Sequence, residues 1–193
     1  MVTKAISVSA LATRVGLDGG VLVMRSKASE MFKASFDQCG QPLIGDVYLC
    51  DLSNIEDCSG SFVDEFILRW QQLIRKTDNT LFILTNVSED VEYTIKSALN
   101  LRNKMDKDNL ILVVKRDDRY DIIGDKMERS ALDVFELMAN GAHITARTVA
   151  DHFSIELNNT GNRLKKLCDA HAVMRLEQST ENGGKFEYYL PSL

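Results

Sequence analysis

Short apolar runs alternate with longer stretches of helical periodicity between residues 46 and 115. The apolar runs are rich in Val, Ile, Leu, Phe or Tyr, which is typical of strands buried in a sheet. The stretches between them carry apolar residues at three- and four-residue steps, and Ser88 is a suitable N-cap for the second one. The pattern predicts strands at 46–50, 80–85 and 109–115, and helices at 61–76 and 88–105. Strands separated by helices of this length are joined by crossovers and pair in parallel, so an α/β fold is expected.

The first 38 residues follow a weaker pattern. Residues 5–12 and 20–24 are predicted as two further strands, and residues 26–38 as a helix. These elements would belong to the same α/β unit.

Residues 117–125 are charged and include Gly124, which favours a linker. A chain of 193 residues is long enough for two small domains. We therefore predict an α/β domain of residues 1–120 and a second domain of residues 126–193.

The pattern after the predicted linker is three helices followed by two strands. Thr145 is a suitable N-cap for the second helix, and Asn182-Gly183 between the strands is a strong hairpin signal. The helices are predicted at 127–138, 146–153 and 156–171, and the strands at 173–179 and 185–190.

The overall composition argues against a membrane-spanning or secreted protein. A hydrophobic fraction of 45% with 26% charged residues is ordinary for a soluble globular protein. No run approaches the ~18 apolar residues that a membrane span needs, and the N-terminal residues lack the apolar block of a signal peptide. The four cysteines show no Cys-x-x-Cys spacing and are predicted to be reduced, mostly buried thiols. We expect a cytoplasmic protein without a membrane partner.

The charge distribution limits how the chain could bind nucleic acid. The net charge is −5, which argues against coating of nucleic acid by many Lys and Arg contacts. Residues 126–193 hold eight Lys and Arg against nine Asp and Glu, so this part is close to neutral. DNA binding would therefore depend on a local basic face.

The segments 145–155, 158–167 and 184–189 resemble winged helix-turn-helix transcription regulators, in which three helices precede a β-hairpin called the wing. The resemblance covers about residues 126–193. It implies that the helix beginning near Glu156 is the recognition helix, which enters the major groove of DNA.

The first turns of that helix carry side chains suited to DNA. Asn and Arg can each make two hydrogen bonds to a base edge, and Lys can reach phosphates. We expect base contacts from Asn158, Asn159, Asn162 and Arg163, and phosphate contacts from Lys165, Lys166 and the wing residue Lys185. The alternative is that these residues are only solvated or cap the helix. Two departures from the winged-helix pattern favour it: Ser154 occupies the turn position often taken by Gly, and Glu156 would repel a phosphate. Winged helices usually read DNA as dimers, so a homodimer is expected.

Residues 47–66 resemble the STAS domain family, best known from anti-sigma-factor antagonists. The closer similarity is to STAS-like domains with Ser-Phe-x-Asp-Glu at a helix start, here residues 61–65. The resemblance spans about residues 20–116. It implies that the loop before this helix meets a partner kinase, which phosphorylates the first Ser of an Asp-Ser-Ser-Gly sequence.

That loop departs from the family pattern, because Cys58 occupies the position of the phosphorylated Ser. Ser59 and Ser61 remain at the helix N-terminus, where backbone N–H groups favour an added phosphate or a bound anion. The predicted partner or phosphate loop comprises Asp57, Cys58, Ser59, Gly60 and Ser61. The alternative is that Ser59 or Ser61 acts only as an N-cap.

Residues suited to catalysis or metal binding are few. Cys168-x-x-His171 offers two of the four ligands of a structural zinc site. The three histidines all lie in the second predicted domain, and the chain has neither a Walker-type loop nor Gly-x-Gly-x-x-Gly. We predict that the protein is not an enzyme and has no catalytic residues, metal site or cofactor.

These observations favour a transcription regulator or DNA-associated adaptor. Double-stranded DNA would bind the winged helix, and the STAS-like part would sense or bind a partner. The alternative is a protein-interaction switch that acts with a histidine-kinase-like ATPase and does not bind DNA.

Overall fold

The computed structural model describes residues 2–17, 20–107, 109–124, 127–178 and 185–192. It shows a mixed α/β protein built on a five-stranded, mostly parallel sheet. The strands, in the order in which they lie side by side, are β1 (Val2–Ser7), β3 (Asp46–Asp51), β5 (Leu81–Thr85), β6 (Leu112–Arg116) and β7 (Arg119–Ile123). The first four strands are parallel, and β7 pairs with β6 in the antiparallel direction. A separate two-stranded sheet joins β2 (Val21–Leu22) and β4 (Asp57–Cys58).

The first face of the large sheet is covered by helices from the first two thirds of the chain. These are α1 (Val8–Arg14), α2 (Arg25–Cys39), α5 (Glu89–Asp106) and a helix spanning 60–74. The last begins as α3 (Gly60–Val63), passes through a π-helical turn (Asp64–Leu68) and continues as α4 (Arg69–Ile74). Trp70 is fully buried in this core, with its ring centroid 5.3 Å from that of Phe32 and 5.2 Å from that of Tyr48.

The second face is covered by the C-terminal unit, residues 127–192. Its elements are α6 (Arg129–Met138), β8 (Ile144–Thr145), α7 (Ala146–Phe153), α8 (Leu157–Asp169), β9 (Met174–Gln178) and β10 (Lys185–Tyr189). The three strands form a small antiparallel sheet in the order β8-β10-β9. The predicted Asn182-Gly183 tip of the hairpin lies outside the described residues.

The C-terminal unit shares a core with the sheet. Val47, Ile83 and Val113 point to the second face and join one apolar cluster with Phe135 and Leu164 of the C-terminal helices. The strands β3, β5 and β6 are therefore buried on both faces, which explains why their sequences are continuous apolar runs.

The predicted strand at 5–12 was wrong. β1 ends at Ser7, whose Oγ accepts a hydrogen bond from the N–H of Ala10 at 3.4 Å and so begins α1. Val8, Leu11 and Ala12 are buried at helical spacing, and this periodicity outweighs the strand-like alternation that precedes it.

The predicted linker at 117–125 was also wrong, because it contains β7. Tyr120 and Ile123 are buried although charged residues surround them. The N–H of Tyr120 donates to the carbonyl of Ala139 at 2.8 Å, so the C-terminal unit covers this edge of the sheet. The third helix of that unit ends at Asp169, two residues earlier than predicted, and His171 adopts a left-handed backbone with a φ of 53°.

None of the helices within the described ranges is both long and apolar enough to cross a membrane.

Candidate nucleic-acid interface

Helices α7 and α8 meet at a tight turn on the surface of the C-terminal unit. Thr145 begins α7, and its Oγ1 accepts from the N–H of Thr148 at 3.2 Å. Ser154 ends α7 in the left-handed conformation, with a φ of 53°. This conformation explains why Gly is frequent at such a position. Exposed Glu156 then precedes the first residue of α8.

Helix α8 has a buried side and an exposed polar side. Thr160, Leu164 and Leu167 are buried at three- and four-residue steps. The exposed side includes Asn158, Asn159, Asn162 and Lys165, and we call these four residues the α8 ridge. Leu157, Lys166 and Asp169 are exposed on the same helix. Since Asn158, Asn162 and Lys165 repeat at the same spacing, they lie along one stripe of the helix.

Arg163 lies beside the α8 ridge and is half-buried. Its guanidinium carbon lies 5.8 Å from the ring centroid of Phe153 at the end of α7. A guanidinium held against an aromatic ring is preorganised, so it loses less side-chain freedom when it forms further hydrogen bonds.

Lys166 differs from the ridge because its charge is already paired. Its Nζ lies 2.6 Å from a carboxylate oxygen of Glu128. Both residues line a cleft of about 300 Å³ between α8 and Arg75 of the α/β part. Of the predicted phosphate contacts, Lys165 therefore has the more accessible charge. Lys185 begins β10, and its side chain lies outside the described residues.

Sequence reasoning missed further exposed polar residues on the helix that precedes α8. Arg147 and Thr148 are exposed in the first turn of α7. The helix before a recognition helix crosses the DNA backbone, so a basic residue in its first turn was the available signal.

The local charge of α8 differs from that of the whole chain. Residues 157–168 contain three basic residues and no acidic residue, whereas Glu156 precedes the helix, Asp169 is its last residue, and the net charge of the chain is −5. The ridge therefore combines amide groups, which donate and accept, with a basic surrounding. This is the chemistry that base edges and phosphates require.

The second predicted site, the loop 57–61, begins the helix 60–74. Ser59 Oγ accepts from the N–H of Phe62 at 3.2 Å and lies 3.1 Å from Ser61 Oγ, which makes Ser59 the N-cap. Cys58 is only 4% exposed, and burial, with a smaller effect of Asp57, raises the pKa of its thiol to about 12. Cys58 is therefore a neutral, unreactive thiol.

The cations beside this loop are paired with a carboxylate. Arg25 Nη1 lies 2.9 Å from one oxygen of Asp64, and Arg102 Nη1 lies 2.7 Å from the other. Arg25 also pairs with Glu65, and Arg102 with Asp106, so the two positive charges are offset and offer little attraction to a phosphate.

Exposed apolar side chains surround the same loop. We call them the apolar rim: Val23, Met24, Leu101 and Met105. The N–H of Ser59 donates to the carbonyl of Leu22 at 2.8 Å, so the segment after β2 runs directly past the loop. On the other side, α5 and Ser61 line a cleft of about 280 Å³. Several exposed apolar side chains around a cleft are a feature of docking sites.

Cys168 and His171 pack between the two parts of the chain. His171 is buried, and its Nδ1 lies 2.9 Å from the carbonyl oxygen of Thr80, to which the Nδ1–H form donates. Burial raises the pKa of the Cys168 thiol to about 12. Within the described ranges, no three His, Cys, Asp or Glu side chains are grouped so as to hold a metal ion.

Comparison of the chain with protein-family models, curated proteins and solved structures found no match.

Proposed function

We propose that this protein is a DNA-binding transcription regulator whose C-terminal unit is a winged helix. The order α6, β8, α7, α8, β9, β10 supports this assignment, since two helices joined by a tight turn precede a hairpin. The observation that carries the proposal is the α8 ridge, an exposed polar stripe on a helix stretch without acidic residues.

The ridge residues have separate roles in this proposal. Asn158, Asn159 and Asn162 read base edges, preferring adenine, because an amide pairs with the donor and acceptor that adenine presents. Arg163, held against Phe153, reads guanine or a phosphate. Lys165 and the hairpin residue Lys185 bind phosphates.

The α/β part acts as a STAS-like partner-binding or assembly domain in this proposal. Two copies of the chain bind two half-sites, because one winged helix gives limited affinity and discrimination. The four cysteines are free thiols, which supports a reducing compartment such as the cytoplasm.

The test is selection of a preferred duplex from a random-sequence pool, followed by titration of wild type and variants. Asn162→Ala is expected to weaken binding to the selected duplex by about 5- to 100-fold, because a bidentate base contact is worth about 1–3 kcal/mol. The matched control is Asn100→Ala, an exposed Asn on α5, which should leave binding unchanged. Selection of no duplex, or an equal loss in both variants, contradicts the proposal.

The apolar rim supports a second candidate function, a protein-interaction switch. In this candidate, a histidine-kinase-like ATPase docks on the loop 57–61 and the rim. Leu101→Asp would then abolish binding to such an ATPase, whereas Asn100→Asp, its exposed neighbour, would not. Full binding by both variants excludes the rim as the docking surface.

A further inference from the structure

The turn before β5 reaches across to the C-terminal hairpin. Residues 75–80 connect helix 60–74 to β5, and Asn79 has a left-handed backbone with a φ of 52°. Asn is among the residues that tolerate this conformation best. The turn presents the Asn79 side chain to β9.

Asn79 binds the backbone of one residue of β9 at both of its polar groups. Asn79 Nδ2 donates to the carbonyl of Arg175 at 3.0 Å, and the N–H of Arg175 donates to Asn79 Oδ1 at 2.8 Å. β9 is the edge strand of its sheet, because the order is β8-β10-β9. The amide therefore occupies the place of a neighbouring strand and satisfies the edge groups of Arg175.

The residues on either side of Asn79 reinforce this contact. The guanidinium of Arg175 lies 2.8 Å from Asp78 Oδ2 and 5.4 Å from the ring centroid of Phe186 on β10. Thr80 accepts from buried His171, just before β9. Three consecutive residues of the α/β part thus contact β9 and the segment that leads into it, and Arg175 in turn packs on Phe186 of β10.

We propose that Asn79 is a positioning residue for the hairpin in DNA binding. The inference rests on the proposed function and adds to it that the α/β part sets the angle between hairpin and α8. The hairpin carries Lys185, and the α8 ridge must meet the same duplex. A hairpin released from Asn79 samples more orientations, so fewer molecules present both surfaces together.

Asn79→Gly tests the contact with the least disturbance, because Gly accepts the positive φ and removes only the side chain. The matched control is Asn54→Gly, which changes a second Asn of the α/β part with a positive φ, 63°, at an exposed position. Amide hydrogen exchange at Arg175 should accelerate roughly 5- to 10-fold in Asn79→Gly, as expected for the loss of one hydrogen bond. It should be unchanged in Asn54→Gly.

Asn79→Asp separates the two hydrogen bonds. A carboxylate still accepts from the N–H of Arg175 but cannot donate to its carbonyl. Protection of the Arg175 amide should therefore be largely retained. Equal acceleration of exchange in Asn79→Asp and Asn79→Gly would contradict the assigned contact.

A double-mutant cycle with Lys185→Ala distinguishes positioning from a general loss of stability. Asn79→Gly should weaken binding to the selected duplex by roughly 5- to 10-fold in the wild-type background and clearly less when Lys185 is absent. An equal loss in both backgrounds, or no loss at all, overturns the positioning role. A wild-type chain that binds no duplex contradicts the proposed function itself, whereas normal wild-type binding unaffected by Asn79→Gly contradicts only this inference.

Discussion

In the part of the chain that the structure describes, two asparagine amides take the place of a backbone neighbour. Asn79 binds both polar groups of Arg175, and Asn103 binds both polar groups of Leu110, at 2.9 and 2.8 Å. The ridge residue Asn162 is exposed on α8. The same residue type therefore closes backbone hydrogen bonds at two positions and is accessible to a ligand at a third. The spacing of Asn residues in the sequence does not distinguish these roles. Tertiary packing brings Arg175 to Asn79 and Leu110 to Asn103.

Asn103→Ala is expected to destabilise the protein by about 2–3 kcal/mol, because it leaves the buried N–H and carbonyl of Leu110 without partners. Urea denaturation monitored by circular dichroism measures this change. Asn100→Ala on the same helix, at an exposed position, should change the free energy of unfolding by less than about 0.5 kcal/mol. Similar effects of the two substitutions would contradict the role of Asn103.

The buried imidazole of His171 should make stability depend on pH. Burial is the main cause that lowers its pKa below the ordinary value of 6.5, despite its hydrogen bond to Thr80. The unfolded chain therefore binds a proton more readily than the folded chain does. The contribution of His171 to stability is complete above pH 6.5 and is lost as the pH falls through the lowered pKa.

His171→Asn removes this titration and suits the positive φ at this position. The free energy of unfolding should fall less between about pH 7.5 and about pH 5 in this variant than in the wild type, because the protonation cost of the imidazole is gone. Urea denaturation at both pH values measures the difference. Identical pH dependence in the two proteins would show that His171 does not titrate in this window.

At the scale of elements, helix caps and buried strands were predicted where neighbouring residues in the sequence determine them. The caps at Ser88 and Thr145 are present as predicted, and the apolar runs became β3, β5 and β6. By contrast, β7 was missed because charged residues flank its buried Tyr120 and Ile123, and β8 was missed because it has only two residues and depends on pairing with β10. β4 was missed for the same reason, since its two residues pair only with β2.

Helix α8 carries a prediction about salt dependence. Each phosphate contact contributes roughly −0.9 to the slope of log K against log salt concentration. Lys165→Gln should therefore make the slope shallower by about 0.9, with Lys104→Gln, an exposed Lys on α5, as the unchanged control. Fluorescence anisotropy at several salt concentrations gives the slope. A slope that is the same in Lys165→Gln and in the wild type would remove Lys165 from the contact surface.

At the scale of the whole molecule, the sheet joins the two parts of the chain. The pattern predicted that β3, β5 and β6 are buried, but it did not reveal that the C-terminal unit covers their second face. Long-range packing determines which element covers each face of the sheet. A continuous apolar run shows that both faces are covered but does not specify by which element. The exposed stripe of Asn158, Asn162 and Lys165 was predicted more fully, because spacing on a helix is a local property. Its contact with DNA stays a prediction.

Shared burial predicts that the two parts unfold together. Phe135→Ala on α6 should destabilise the chain by about 3–5 kcal/mol. The single Trp, Trp70, lies on the opposite face of the sheet. Its fluorescence transition should shift to lower urea by as much as the circular dichroism transition does. Glu136→Ala, an exposed neighbour, serves as the control. If Phe135→Ala lost part of its circular dichroism signal at lower urea while the Trp70 fluorescence transition did not move, the two parts would unfold independently.

Contact between the α8 ridge and duplex DNA can be observed by amide NMR during titration with the selected duplex. We predict the largest shift changes at the backbone and side-chain amides of Asn158, Asn159 and Asn162, with little change at the loop residues 57–61. Shifts concentrated in residues 57–61 and the apolar rim, with an unperturbed α8, would contradict the account.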